Sequence, residues 1–250
     1  MESYNKRIHL IDEVRGLCVF CMVVFHALYT AFYIFDFTFA KKWIELFTPA
    51  EPFFAGVFIF ISGICVQLSK NAFRRGLILL ATAMGLTGVM VLATLIDIHE
   101  PIWFGVLHLL AVSMLLFAAL RKFIDKCPPF FMAILMAVLF LIAYRIELGY
   151  LLLFQKVQLP EQWYSTSFLF PIGLVNYQLR FSDYFPIFPW TFLFFTGVFT
   201  GAYAKRGRFP EFMYKSRIKG LSFIGRYALL IYLLHQPCIY LLFLLIGKVV

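Results

Sequence analysis

Residues 7–35 read RIHLIDEVRGLCVFCMVVFHALYTAFYIF, a charged opening with Asp12, Glu13 and Arg15 that gives way to an apolar run holding one basic side chain, His26. From residue 14 to 35 the run is long enough to cross roughly 30 Å of hydrocarbon as a helix. It exceeds the apolar core of a secretory leader and has no clear small-residue exit, so it reads as a retained span. The basic residues Lys6, Arg7 and Arg15 around its start mark the side from which it enters the membrane.

Working outward, six more runs of comparable length occur at about 52–69, 76–97, 102–120, 129–148, 185–204 and 221–247. The second is short and the last is long, and the aromatic stretch 149–184 has room for a re-entrant piece. Composition agrees with this pattern. Of 250 residues, 62% are hydrophobic and 20% aromatic, and only 14% are charged, against roughly 25% in soluble domains. With a mean hydropathy of +0.87, the apolar surface exceeds what one globular core can bury, which excludes an ordinary soluble enzyme. The expectation is an all-α, polytopic integral membrane bundle of about seven transmembrane helices, one domain filling residues 1–250, with no internal repeat.

The net charge of +9 is distributed by loop. Lys6, Arg7 and Arg15 flank the first span; Lys70, Arg74 and Arg75 join the second and third; Arg121, Lys122 and Lys126 join the fourth and fifth. Lys205, Arg206, Arg208, Lys215, Arg217, Lys219 and Arg226 surround the link between the sixth and seventh. The alternate loops, 36–51, 97–101 and 149–184, hold only Lys41, Lys42, Lys156 and Arg180, with Arg145 and Lys248 near span ends. This asymmetry predicts a cytosolic N-terminus and an external C-terminus, and it accounts for the basic residues without nucleic acid as a partner. All five cysteines read as reduced. Cys18-x-x-Cys21 lies in an apolar run with no second pair and no suitable histidine spacing, so no metal site is expected.

Ionisable groups at membrane depth face cavities or one another, because a charge at the bilayer centre is costly. In the first span Asp12, Arg15, Val19, Met22 and His26 share one helix face. Arg15 and His26 lie about 16 Å apart along the axis. That places Arg15 near the cytosolic interface and His26 near the midplane, where both can line one channel, while Asp12 and Arg15 can pair at i, i+3. The bland alternatives are a neutral His26 bridging two helices and a snorkelling Arg15. Other candidates are Glu51 opening the second span, Ser62-Gly63 within it, His108 in the fourth, Asp183 before the sixth, and Tyr232 with His235 in the seventh. Ser62-Gly63 also suits close helix packing, Glu51 and Asp183 suit solvated caps, and either His108 or His235 suits a bond to a backbone carbonyl. Arg74-Arg75 serves topology or, with its planar donors, an anion such as the phosphates of coenzyme A.

These residues carry a resemblance. Arg7-Ile-His-Leu-Ile-Asp12-Glu-Val-Arg15-Gly16, followed by an apolar run to Phe25-His26, resembles the opening of the transmembrane acyltransferase superfamily, and its Arg-to-His spacing is similar to the acyltransferase-3 branch. Phe58-Ile-Phe-Ile-Ser62-Gly63 looks like that group's second-span motif, and Arg74-Arg75 stands where its basic pair follows. Phe104-Gly105-Val-Leu-His108, Ser182-Asp183-Tyr184-Phe185-Pro186-Ile-Phe-Pro189-Trp190 and Gly225-Arg226 through Tyr232, His235, Gln236 and Pro237 resemble bacterial relatives of the heparan-alpha-glucosaminide N-acetyltransferase catalytic domain. The resemblance runs from about residue 7 to 240, in a chain shorter than many members and lacking a large outer domain.

What it implies is transfer of an acyl group, commonly acetyl, from cytosolic acetyl-CoA or another acyl-CoA to a hydroxyl or amine, often on a sugar or glycan, at or across a bacterial inner membrane. His26 would be the central catalytic residue, with Asp183 or Glu51 fixing its tautomer or binding the acceptor. Arg15, Arg74 and Arg75 would hold the donor, and Asp12, Ser62, His108, Tyr232 and His235 would line the cavity. A midplane imidazole suits the base that acyl transfer requires. The rival reading from the residues alone is a transporter or lipid-binding protein using the buried His and Arg side chains as a relay, and a structural membrane subunit stands third. The outer aromatics Trp163, Tyr164, Tyr177 and Tyr184 suit either a membrane-interface belt or stacking on sugar rings. Homo-oligomerisation stays open.

Overall fold

A computed structural model describes residues 7–94, 102–176 and 183–247. Lys6, the 97–101 loop, Tyr177, Arg180, Ser182 and Lys248 lie outside the described residues. Seven helical segments among the described residues are long and apolar enough to cross a membrane, as the hydropathy pattern requires, and they fall into two compact units.

The first unit comprises Met1–Ile61 and Phe209–Val250. It contains α1 (His9–Tyr33), α2 (Ala40–Phe47), the first part of α3 (Glu51–Gln67), α8 (Lys219–Arg226) and α9 (Ala228–Gly247). Helix α1 is the centre of this unit and packs against α2, α8 and α9. Its contact with α8 is backbone on backbone. A Cβ at Gly16 would run into the carbonyl of Leu221, and one at Gly225 into the carbonyl of Asp12, the close approach that small residues permit between helices. The long seventh run of the sequence is therefore two elements. Lys219, Ser222 and Arg226 give 219–226 a polar side that separates it as the short amphipathic α8, and the crossing helix begins at Ala228. The second run also starts earlier than its hydropathy shows, because amphipathic α2 leads through a 3₁₀ turn at Thr48–Ala50 into α3.

The second unit, Ser62–Arg208, holds the rest of α3 together with α4 (Ala72–Thr94), α5 (Val106–Ile124), α6 (Pro129–Ala143) and α7 (Ile187–Lys205). Between α6 and α7 lies an outer segment built from short 3₁₀ turns and one antiparallel hairpin. Its strands β1 (Tyr150–Leu152) and β2 (Lys156–Gln158) pair Tyr150 with Gln158 and Leu152 with Lys156. Its described residues form turns and this hairpin in place of a re-entrant helix. Helix α7 is the buried member of the unit, with Phe194 and Val198 wholly covered. Gly63 of α3 lies on its backbone, since a Cβ there would strike the carbonyl of Phe194. Ser113 of α5 and Thr191 of α7 hydrogen-bond at 3.1 Å. Within the spans Thr82, Thr196 and Thr200 return their hydroxyl protons to carbonyls one turn back, which satisfies them without water. Helix α6 turns a Phe131, Ile134, Leu135, Val138 and Leu141 surface outward, as a lipid-facing helix must.

Candidate functional site

In the first unit the structure brings three of the expected residues together. The rings of His26 on α1 and His235 on α9 lie with centroids 4.9 Å apart, tilted by 53°, and Tyr232 stands one turn from His235 with ring centroids 5.7 Å apart. His235 Nδ1 is 2.6 Å from the carbonyl oxygen of Tyr232. A carbonyl only accepts, so Nδ1 carries the proton and donates, and in the neutral ring Nε2 then bears the lone pair. Beside the pair, Gln236 Nε2 donates to Thr30 Oγ1 at 3.2 Å, and Thr30 is wholly buried. Positions 26 and 30 share a face of α1, as 232, 235 and 236 do on α9, so helical periodicity alone aligns the cluster. His26 makes ring contacts with Phe25 and His235. Among the described residues its imidazole nitrogens make no hydrogen bond to the protein, which leaves them able to exchange a proton with a bound molecule.

At the start of the same helix Asp12 accepts from Arg7 Nε at 2.7 Å and lies 3.8 Å from Arg15 Nη1. The i, i+3 pair expected from spacing is present, with Arg7 as an additional partner. Sequence reasoning passed over the neighbouring Glu13. Its carboxylate is buried, and Oε1 accepts from the backbone N–H of Arg217 at 2.6 Å, that of Ile218 at 3.0 Å and the Ser216 hydroxyl at 3.4 Å. Glu13 thus holds the N-cap amide of Ile218 and the amide before it, where α8 has no side-chain cap from its own residues. The local signal was a second acid before an apolar run; its partners stand about two hundred positions away in the chain. Glu51 lies in the first turn of α3, where a carboxylate complements the helix dipole.

The second unit places His108 and Asp183 at one end of α5. His108 Nδ1 accepts from the Gly105 amide at 3.3 Å, so Nε2 carries the proton and faces Thr87 Oγ1, also at 3.3 Å; Thr87 in turn donates to the carbonyl of Ile102 at 2.7 Å. Both imidazole nitrogens are engaged, and the ring stacks on Phe104. Asp183, at positive φ, sets its carboxylate against Gly105: a Cβ there would stand 2.6 Å from Asp183 Oδ2. Only glycine at the N-cap of α5 admits that approach. The next residue, Tyr184, donates its hydroxyl proton to the carbonyl of Phe170, and burial pushes its phenol well above the ordinary range. Ser62 is buried beside the Gly63 packing point. Arg74 and Arg75 are exposed in the first turn of α4 and form no ion pair with the described residues. A polar junction that sequence reasoning also missed joins Asp125 to Gln67 at 3.1 Å, Lys205 at 3.5 Å and Arg121 at 3.8 Å. The five cysteines are free thiols.

Residues 7–237 match the family described as heparan-alpha-glucosaminide N-acetyltransferase, catalytic. No curated protein and no solved structure gives a significant match. The family match covers nearly the whole chain and both units. The chain belongs to this family, and it is a polytopic membrane protein of acetyltransferase type.

Proposed function

We propose that the protein transfers an acetyl group from acetyl-CoA on its basic, cytosolic side to a hydroxyl or amine of a sugar or glycan, with His26 as general base, in a bacterial inner membrane. The observation that carries this reading is the state of His26. It lies in a membrane helix against a second imidazole, yet its nitrogens form no hydrogen bond with the described residues. A polar ring at membrane depth needs partners, and one that finds none among the described residues is suited to a substrate's donor or acceptor. His108, with both nitrogens committed, suits a supporting role within the second unit.

In this scheme a His26 nitrogen takes the proton of the acceptor hydroxyl or amine as its oxygen or nitrogen attacks the thioester carbon. The new C–O or C–N bond forms, the C–S bond breaks, and the proton held on His26 passes to the departing thiolate. His235, its proton directed into the Tyr232 carbonyl, presents its Nε2 edge for hydrogen bonding and holds His26 in place by ring contact. The donor's chemistry fits the arginines: Arg74 and Arg75 offer uncommitted planar guanidinium groups for phosphates, and Arg15 a partly engaged one. Asp12 orients Arg15. Glu51 and Tyr232 of the first unit, and Asp183, Ser62 and His108 of the second, are assigned to acceptor binding.

The test is turnover of radiolabelled acetyl-CoA by the purified protein against a panel of amino sugars, glycans and lipid extracts, comparing wild type with His26→Ala at matched folding. Label should move to an acceptor with wild type and fall by a factor of at least about 100 with the variant. Full activity in the variant removes His26 from the chemistry. Failure of wild type to bind acetyl-CoA or transfer label removes the donor assignment and brings the transport reading forward.

A further inference from the structure

The junction of α8 and α9 carries a feature that acetyl transfer does not use. A cleft of about 300 Å³ opens on the outer surface of the first unit, lined by Arg226, Tyr227, Leu229, Leu230 and Leu233. Its floor is one stripe. Leu229, Leu230 and Leu233 stand at i, i+1 and i+4 on α9, on the side away from His235, with Gln236 one turn beyond Leu233 at the border of the stripe. Leu229 and Leu230 are 40% and 52% exposed, so this side of α9 is open to acyl chains. The mouth has the opposite character. Arg226 ends α8 exposed and forms no ion pair or hydrogen bond with the described residues, and the Tyr227 ring lies 4.8 Å from that of Phe223, both of them exposed.

The surroundings extend that charge. Between Phe209 and Tyr227 the chain has four basic residues, Lys215, Arg217, Lys219 and Arg226, and one acid, Glu211. The nearby Glu13 is withdrawn from this balance, since its carboxylate is buried against the backbone of 217 and 218. Phe212, Ile218 and Phe223 are exposed among these cations. Basic residues interleaved with exposed aromatic and aliphatic side chains, on a short amphipathic helix next to a span, form a surface suited to the headgroup region of an anionic leaflet. From Leu229 to Leu233 the stripe runs about 6 Å along α9, leading away from the Arg226 guanidinium.

We infer that this cleft is a binding site for an anionic glycerophospholipid, with the phosphate on Arg226, the headgroup region beside Tyr227, and an acyl chain along Leu229, Leu230 and Leu233. Guanidinium pairs with a phosphate diester through parallel hydrogen bonds, and the leucines exclude water from the chain. Charge at the mouth selects anionic over zwitterionic headgroups. The site stands on the opposite side of α9 from His26 and His235 and does not depend on the acetyl-transfer reading.

Native mass spectrometry of the intact protein released from mixed micelles tests this, with phosphatidylglycerol and phosphatidylcholine of equal chain length at equal mole fraction. Wild type should retain one phosphatidylglycerol in preference to phosphatidylcholine. Arg226→Gln should weaken retention about fivefold, the effect of one cation near an anionic surface, while Lys122→Gln, which removes an exposed cation from the last turn of α5, should leave it unchanged. Leu230→Trp fills the cleft and should displace the lipid with the charge intact, so it reports on the site even if Arg226→Gln alters folding. Equal retention of the two lipids by wild type, unchanged retention in both cleft variants, or full displacement by glycerol 3-phosphate, which has no chain, would each overturn the assignment.

Discussion

Replacing Glu13 tests the fold of the first unit at the point where it is least obvious. One carboxylate oxygen accepts two backbone N–H groups and a hydroxyl from residues 216–218 while the side chain is only 4% exposed, so Glu13→Ala leaves two backbone donors without a partner. Orphaning buried donors costs about 1–3 kcal/mol each, which puts the variant about 3–5 kcal/mol below wild type. Glu13→Gln keeps an acceptor oxygen in the same place and loses only the charge. Charge-assisted bonds are about twice as strong as neutral ones, so its cost is about 1–2 kcal/mol. Ser216→Ala removes the longest of the three bonds and should cost less than about 1 kcal/mol. Thermal unfolding in detergent, followed with a thiol-reactive dye, reports this, because Cys18 is buried on α1 and becomes reactive when the first unit unfolds. The midpoint should fall by roughly 10 °C for alanine and roughly 4 °C for glutamine. Equal losses in the two variants would mean that charge, and not the acceptor, is what the site needs. An unchanged midpoint in Glu13→Ala would refute the capping argument altogether.

Gly225→Ala should destabilise by about 3 kcal/mol or more, since its Cβ meets the Asp12 carbonyl; Gly220→Ala, on the same short helix with nothing within 4 Å of its Cβ, should be neutral or stabilise by up to about 1 kcal/mol, and detergent melting curves separate them. Tyr184 has a phenol pKa raised above its ordinary value of 10.0 by burial first and by Glu147 and Tyr164 next, so the stability it contributes is present below pH 10 and is lost as the pH rises further. Tyr184→Phe should therefore flatten the alkaline limb of a stability-versus-pH curve, and an identical limb in both proteins would remove Tyr184 as its cause.

How much of this was readable beforehand depends on range. Hydropathy and loop charge are local, so seven spans and their order could be read directly. Their ends could not, because Asp12, Glu13 and Arg15 look like a boundary until their partners are seen. Arg7 and the 216–218 backbone neutralise that turn and let α1 begin at His9. The seventh run looked like one long helix because hydropathy averages over the polar side of 219–226. Within the site, the shared face of His26 and Arg15 followed from helical spacing. The meeting of His26 with His235 joins positions 209 apart, as does the Glu13 cap with a similar separation, and no periodicity encodes either. The family resemblance ordered these segments correctly without stating which side chains touch.

His108 is buried and His26 half-buried, and their surroundings separate the chemistry open to each. His26 and His108 each sit on an apolar helix in a sequence that treats them alike. At His108 the Gly105 amide and Thr87 claim the two nitrogens, and protonating that ring would force a donor against the Gly105 N–H and break the turn that opens α5. Such an imidazole is held in one tautomer by the fold and contributes rigidity. His26 is held by ring contact with Phe25 and His235, which fixes position without committing either nitrogen to a donor or acceptor among the described residues. A general base must change protonation state within each turnover without unfolding its surroundings. Of the two, only His26 has that freedom, and the Gln236 to Thr30 bond one turn away supplies the rigidity that its own ring does not have to provide.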